Sequence, residues 1–109
     1  MSLHKGNLYD GIPTAPLGEE LLTGLVASDG LRIMRIVSDG QASAEDFWYE
    51  QDDNEWVLLL KGEAVIELES GKTQRLTAGD YVFLPAGEKH RVASTSKTEK
   101  TIWLAVHFD

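Results

Sequence analysis

Short apolar runs between turn residues divide most of the chain into segments of strand length. Val, Ile, Leu, Thr and aromatic residues fill these runs, and glycine, often preceded by Asp, Ser or Lys, separates them at short intervals. Many short strands between regular turns are typical of a β-sandwich or a β-barrel. No window shows a convincing helical stripe, so we predict an all-β fold. The predicted strands are residues 20–27, 31–38, 46–51, 55–61, 63–69, 73–77, 80–85, 89–95 and 100–108.

Two of the predicted strands are apolar on both faces. In strand 55–61, Val57 falls on one face and Trp56 and Leu58 on the other, and strand 100–108 alternates in the same way. A strand that is apolar on both faces must be covered on both. One face would line the interior of a barrel, while the other needs the N-terminal arm, a second sheet or a partner subunit. We therefore expect a homodimer.

The chain is predicted to form one domain over residues 1–109, because its length leaves little room for a second core. Residues 1–19 contain Pro13 and Pro16 and lack the alternating pattern of the rest. They are predicted to form an irregular N-terminal arm laid across the domain. We find no internal repeat and no linker.

Composition excludes several kinds of protein. The 18 acidic and 10 basic residues leave a formal charge of −8, and an acidic field repels phosphate backbones, so nucleic acid is not an expected partner. The longest apolar runs, such as residues 56–60, are far shorter than the roughly 20 residues that span a bilayer, so no membrane is expected either. Cysteine is absent, which removes disulfides and thiolate ligands and suits a cytoplasmic protein. No secretory signal is predicted.

Two segments carry residues suited to chemistry. Glu55 follows a polar and aromatic stretch and opens a strongly apolar strand, where a carboxylate is costly unless it is solvated, paired or bound to a cation. His90 follows a turn shaped by Pro85 and Gly87. Each residue also has a structural interpretation: Glu55 as a buried acid hydrogen-bonded to Tyr49 or His90, and His90 as a residue that merely opens a strand.

These two segments resemble the two signature motifs of the cupin superfamily. Glu55 and Gly62 match the end of the first motif. The second motif is matched by Gly79, Pro85, Gly87 and His90. Its usual closing asparagine is replaced by Ser94. The resemblance covers residues 40–94 and implies a cupin barrel, which is a double-stranded β-helix (jelly roll) of six to eight strands.

The chain departs from the superfamily where most metal-binding cupins carry His-x-His. Those positions fall on Tyr49 and Gln51 in one register, or on Trp48 and Glu50 in another. The resemblance therefore implies a weak site for a divalent metal ion, Zn, Mn, Ni or Fe, held by Glu55, His90 and Gln51. Which of Gln51 and Glu50 faces the barrel interior is left open.

The catalytic candidates are Tyr49, Glu50 and His107, which would position or protonate a small polar ligand. His107 shares a strand face with Trp103 and Ala105, where a structural histidine is the alternative. The resemblance implies a small-molecule-binding cupin with a divalent metal site, acting as a metal-dependent enzyme in one version. The alternative is a metal-free binding or sensor cupin without activity. A metal-free isomerase of sugar type is a third possibility, supported by fold analogy alone.

Overall fold

A computed structural model describes residues 3–109, and these residues form β-strands and no helix. Among them there is accordingly no helix long and apolar enough to cross a membrane. The strands are β1 Leu21–Ser28, β2 Leu31–Ser38, β3 Asn54–Lys61, β4 Glu63–Leu68, β5 Thr73–Thr77, β6 Tyr81–Leu84, β7 His90–Thr95 and β8 Thr101–Phe108. The predicted all-β class is confirmed.

The strands form two antiparallel sheets. One sheet has the order β1-β2-β8-β3-β6 and the other the order β5-β4-β7. The inner faces of both sheets contribute to one apolar core, which contains Val57, Leu59, Ala64, Ile66, Leu76, Trp103 and Ala105. The architecture is the double-stranded β-helix that the sequence motifs predict.

The predicted strand at residues 46–51 is wrong. The segment between β2 and β3 is irregular and meets β7 through a single bridge, in which Tyr49 and His90 exchange both backbone hydrogen bonds at 2.7 and 3.0 Å. Two residues later the pairing has ended, because the carbonyl oxygen of Gln51 accepts from the amide of Gly87 instead. The aromatic residues of this segment suit a strand, but the neighbouring backbone supplies partners for only one pair of residues.

The N-terminal arm is held by one side chain of the larger sheet and by one that directly precedes β8. None of residues 3–19 belongs to a strand, while residues 1 and 2 lie outside the described part of the chain. The buried Arg35 of β2 donates from Nη1 to the carbonyl oxygens of Leu8 and Asp10, at 3.2 and 2.6 Å. Lys100 donates to the carbonyl oxygen of Ala15 at 2.9 Å. Charge-assisted hydrogen bonds of this kind fix an irregular segment that has no ladder of its own.

Candidate functional site

A cavity of about 240 Å³ lies inside the barrel, between the two sheets. Its walls are largely apolar, with a few polar groups that converge on the same space. The lining residues are Glu20, Leu22, Arg32, Met34, Ile36, Tyr49, Gln51, Glu55, Val57, Ile66, Leu84, His90, Val92, Trp103 and His107. An apolar concave site with a small number of placed polar groups is the usual form of a small-molecule pocket.

One row of the larger sheet supplies three of the polar groups. His107 of β8 is directly opposite Arg32 of β2 on one side and Glu55 of β3 on the other. Residues directly opposite one another in a sheet project to the same face, and here that face lines the cavity. Strand pairing therefore places a guanidinium, an imidazole and a carboxyl group in line.

The carboxyl group of Glu55 lies between two imidazoles. Its Oε1 is 3.6 Å from Nε2 of His90, and its Oε2 is 3.6 Å from Nε2 of His107. The side chains of Glu55, His90 and His107 are only 12%, 7% and 6% exposed. At 3.6 Å neither contact is a hydrogen bond. The site therefore holds a nearly buried carboxyl group that neither neighbouring imidazole hydrogen-bonds.

The environment of Glu55 favours its protonated form. Burial raises the pKa of the Glu55 carboxyl group above its ordinary value of 4.5, because desolvation penalises the charged state. The nearby His107 acts in the opposite direction and lowers it, Asp53 raises it further, and Arg32 lowers it. A carboxyl group in such surroundings is suited to exchanging a proton with a ligand or to binding a cation.

The hydrogen bond at the far side of the His90 ring defines what faces Glu55. Nδ1 of His90 lies 3.0 Å from the carbonyl oxygen of Glu88, and a carbonyl oxygen can only accept. Nδ1 therefore carries the proton, and Nε2 of a neutral ring presents its lone pair towards Glu55. A lone pair and a carboxylate oxygen that face each other repel unless a proton, a cation or a ligand donor lies between them.

His107 also lies beside the Glu55 carboxyl group, but no hydrogen bond fixes its second ring nitrogen, Nδ1. Its Nδ1 is 3.6 Å from Oδ1 of Asp53, and this buried nitrogen has no hydrogen-bond partner among the described residues. The ring points into the cavity beside Glu55, so it supplies the second imidazole. Asp53 at one nitrogen and Glu55 at the other hold the ring between two acids.

The other candidates from the sequence divide into two groups. Gln51 and Tyr49 line the cavity, and the Tyr49 ring stacks on the His90 ring with 5.5 Å between centroids. Burial raises the pKa of the Tyr49 hydroxyl group, and Glu20 and Glu55 add to this effect. Glu50 does not line the cavity: its exposed carboxylate lies 3.6 Å from Nζ of Lys89. The open choice between Gln51 and Glu50 thus falls to Gln51.

Two polar groups of the cavity, Arg32 and Glu20, were not predicted from the sequence. Arg32 alternates with Met34 and Ile36 on β2, and this period of two could have placed the three side chains on one face. It could not have shown which face is the inner one. The carboxylate of Glu20 accepts a hydrogen bond from the hydroxyl group of Ser38.

The cavity residues meet only half of the requirements of a metal site. Two imidazole nitrogens, one carboxylate and the amide oxygen of Gln51 are donor types that suit a divalent ion. As they stand, however, residues 3–109 contain no group of three or more His, Asp and Glu side chains that could hold a metal ion. The donor types therefore suit a divalent ion. In the present arrangement, however, they do not form a group of three or more that could hold one.

Comparisons with known proteins agree with the fold. The structure superposes with a TM-score of 0.94 on a protein of Ralstonia eutropha JMP134 named a putative mannose-6-phosphate isomerase, at 41% identity over 98% of this chain and 99% of that chain. A cupin superfamily protein of Desulfitobacterium hafniense DCB-2 gives a TM-score of 0.76 at 21% identity, over 99% and 94% of the two chains. A Klebsiella pneumoniae protein with a double-stranded β-helix domain gives 0.77 at 17%, over 98% and 90%.

The Desulfitobacterium hafniense and Klebsiella pneumoniae proteins show the fold alone, because their sequences are only 21% and 17% identical to this chain. Among curated proteins, none matches the chain. The family model described as "Cupin domain" matches residues 34–107, which contain β3 to β7, most of β2 and all of β8 but its last residue, and with them Glu55, His90 and His107. The chain therefore belongs to the cupin domain family.

Proposed function

We propose that the cavity binds a small polar molecule through Glu55, His90 and His107. The observation that carries this proposal is the pair formed by His90 and Glu55, in which Nε2 of the imidazole lies 3.6 Å from Oε1 of a nearly buried carboxyl group without a hydrogen bond between them. A purely structural acid at this depth would be hydrogen-bonded, because an unpaired buried polar group costs about 1–3 kcal/mol. A ligand group that donates between the two side chains would remove this cost.

Acid–base chemistry is the reaction class that these groups support best. The raised pKa of Glu55 leaves a carboxyl group that can give or take a proton, and the neighbouring His107 can accept or return it. The relative of Ralstonia eutropha is named a putative mannose-6-phosphate isomerase, and an isomerisation is a reaction that an acid and a base side by side can support by moving protons. Tyr49, stacked on His90, would help to position the ligand.

A weakly held divalent ion is the second candidate ligand of the same cavity. Glu55, His90 and Gln51 would hold it, and His107 would add an imidazole that the sequence left uncertain. When bound, such an ion would polarise an oxygen atom of the ligand. The described residues have no ready-made group of three donors, so the side chains must turn to bind an ion. This requirement predicts weak binding.

Metal titration separates the two candidates. Protein treated with EDTA and dialysed would be titrated with Zn²⁺ and with Mn²⁺, using calorimetry, for the wild type and for Glu55→Gln and His90→Gln. His4→Gln is the matched control, because His4 is an exposed histidine outside the cavity. Binding that both cavity variants abolish and the control retains supports the metal candidate. Binding that none of the variants changes excludes it.

The small-molecule proposal is tested by NMR titration with polar fragments in the presence of EDTA. Fragments that bind in the cavity should shift the amide signals of β3, β7 and β8, and Glu55→Gln should weaken them. Fragments that shift only signals outside these strands, or that bind Glu55→Gln as well as the wild type, would contradict the proposal.

A second copy of the chain is the partner we propose for the outer face of the larger sheet. Side chains of alternate positions on β3, β6 and β8 leave this face apolar and partly exposed. They are Trp56, Leu58, Tyr81, Phe83, Val106 and Phe108. None of these residues is charged, so two chains of −8 formal charge can meet here without bringing like charges together.

The cytoplasmic location expected from the sequence stays a prediction.

A further inference from the structure

We infer that the ligand of the cavity carries a carboxylate group, which Arg32 binds at the mouth. This inference rests on the proposed binding function and adds the chemical class of the ligand. The chain has four arginines, and three of them have partners: Arg35 holds the arm, Arg75 pairs with Glu63, and Arg91 pairs with Glu67. Arg32 lines the cavity, is exposed, and forms no ion pair or side-chain hydrogen bond within residues 3–109.

The position of Arg32 relates it directly to the acid–base pair. Arg32, His107 and Glu55 occupy successive strands at directly opposite positions. Neighbouring strands lie about 4.8 Å apart, so the backbones at Arg32 and Glu55 are separated by roughly 10 Å. A molecule whose carboxylate pairs with Arg32 therefore presents atoms only a few bonds further on to His107 and Glu55. This geometry selects small acids whose reactive carbon is close to the carboxylate.

The charges of the cavity determine the orientation of such a ligand. Glu20 lies on the wall, and its carboxylate disfavours an anionic group in its vicinity. Arg32 is the arginine of the lining, so the anionic end belongs at the mouth and the neutral end inside. The inner neighbours Met34 and Ile36 suit an apolar portion.

One guanidinium matches one planar carboxylate, which it can bind through two parallel hydrogen bonds. A phosphate monoester carries more charge and would require further cations, while Glu20 adds charge of the same sign as the phosphate. The cavity therefore favours a monocarboxylate over a phosphate ester.

The experiment compares small acids with their uncharged amides. Lactate, 2-methylpropanoate and 3-hydroxybutanoate, each beside its amide, and methyl phosphate would be titrated by NMR into EDTA-treated protein. Each acid should bind more tightly than its amide. Arg32→Gln should weaken the acids at least about tenfold while leaving the amides unchanged, because it removes charge-assisted hydrogen bonds. Arg32→Lys should recover part of the loss.

Arg75→Gln is the matched control, since Arg75 is an exposed arginine on the smaller sheet. The Arg75→Gln variant should bind each acid and each amide with the same affinity as the wild type. Acids that bind no better than their amides, or that bind Arg32→Gln as tightly as the wild type, would overturn the inference. Methyl phosphate that binds more tightly than every acid would overturn the carboxylate assignment. Loss of both acid and amide binding in Glu55→Gln would, in each of these cases, still support the binding function itself.

Discussion

Nε2 of His107 lies 3.6 Å from Oε2 of Glu55, and the two residues are directly opposite one another on β8 and β3. Both side chains are nearly buried, and the guanidinium of Arg32 follows in the same row. The pair brings an acid with a raised pKa next to a base inside a largely apolar cavity. Its electrostatic state should therefore be visible in the stability of the protein as well as in ligand binding.

The first prediction concerns the pH dependence of stability after metal removal with EDTA. Burial raises the pKa of Glu55 in the folded state above the ordinary value of 4.5, so folding favours the protonated form. The stabilising contribution of this group is fully present below its unfolded pKa and is lost as the pH rises through the folded pKa. Glu55→Gln cannot ionise and avoids this loss. The stability of the variant relative to the wild type should therefore rise as the pH is increased from about 4 to about 8.

Urea unfolding at several pH values measures this difference in the free energy of unfolding. Glu45→Gln serves as the control, because Glu45 is exposed and lies in the irregular segment before β3. The control should follow the wild type throughout. A difference between Glu55→Gln and the wild type that is constant with pH would show that the carboxyl group is not perturbed.

The second prediction concerns the turn between β3 and β4. Gly62 has a φ of 90°, and a Cβ atom there would lie 2.8 Å from Cα of Thr101. Gly71 has a φ of 94°, but a Cβ atom there would meet nothing within 4 Å. Gly71→Ala should cost about 1 kcal/mol through backbone strain alone. Gly62→Ala adds a clash with backbone that cannot yield, so it should cost about 3 kcal/mol or more.

Thermal and urea unfolding of the two alanine variants test this comparison. The two glycines share the left-handed backbone, so Gly71→Ala isolates the strain and the difference between the variants isolates the contact with Thr101. Equal losses of stability in both variants would mean that the close approach of β8 to this turn has no energetic role.

The third prediction concerns self-association through the outer face of the larger sheet. Phe83 is 52% exposed and stacks on Phe108, with 6.2 Å between ring centroids. Phe83→Asp places a charge in the proposed apolar contact, which should separate the two copies because a buried unpaired charge is costly. Light scattering should give twice the mass of one chain for the wild type and the mass of one chain for the variant.

Tyr9→Asp is the control for this experiment, since Tyr9 is an exposed aromatic residue of the N-terminal arm at 55% exposure. It should remain dimeric. A wild type that has the mass of one chain, or a Phe83→Asp variant that stays dimeric, would contradict the proposed contact.

Local patterns were sufficient to predict much of this protein. The turns and the alternation of apolar residues predicted eight of the strands to within a few residues, because both signals act over neighbouring positions. The spacing around Gly79 and His90 indicated the cupin barrel. The strand predicted at residues 46–51 failed because strand formation depends on the backbone that a segment meets, and β7 offers that segment one bridge only.

The sequence by itself determined the all-β class, the approximate positions of eight strands and the two segments that contribute Glu55 and His90. Only the tertiary structure decided that β8 lies between β2 and β3, and with it that His107 and Arg32 join Glu55 in one row. It also decided that Gln51 rather than Glu50 reaches the cavity. Strand order and register arise from contacts between distant parts of the chain, which leave no periodic signal in any one of them.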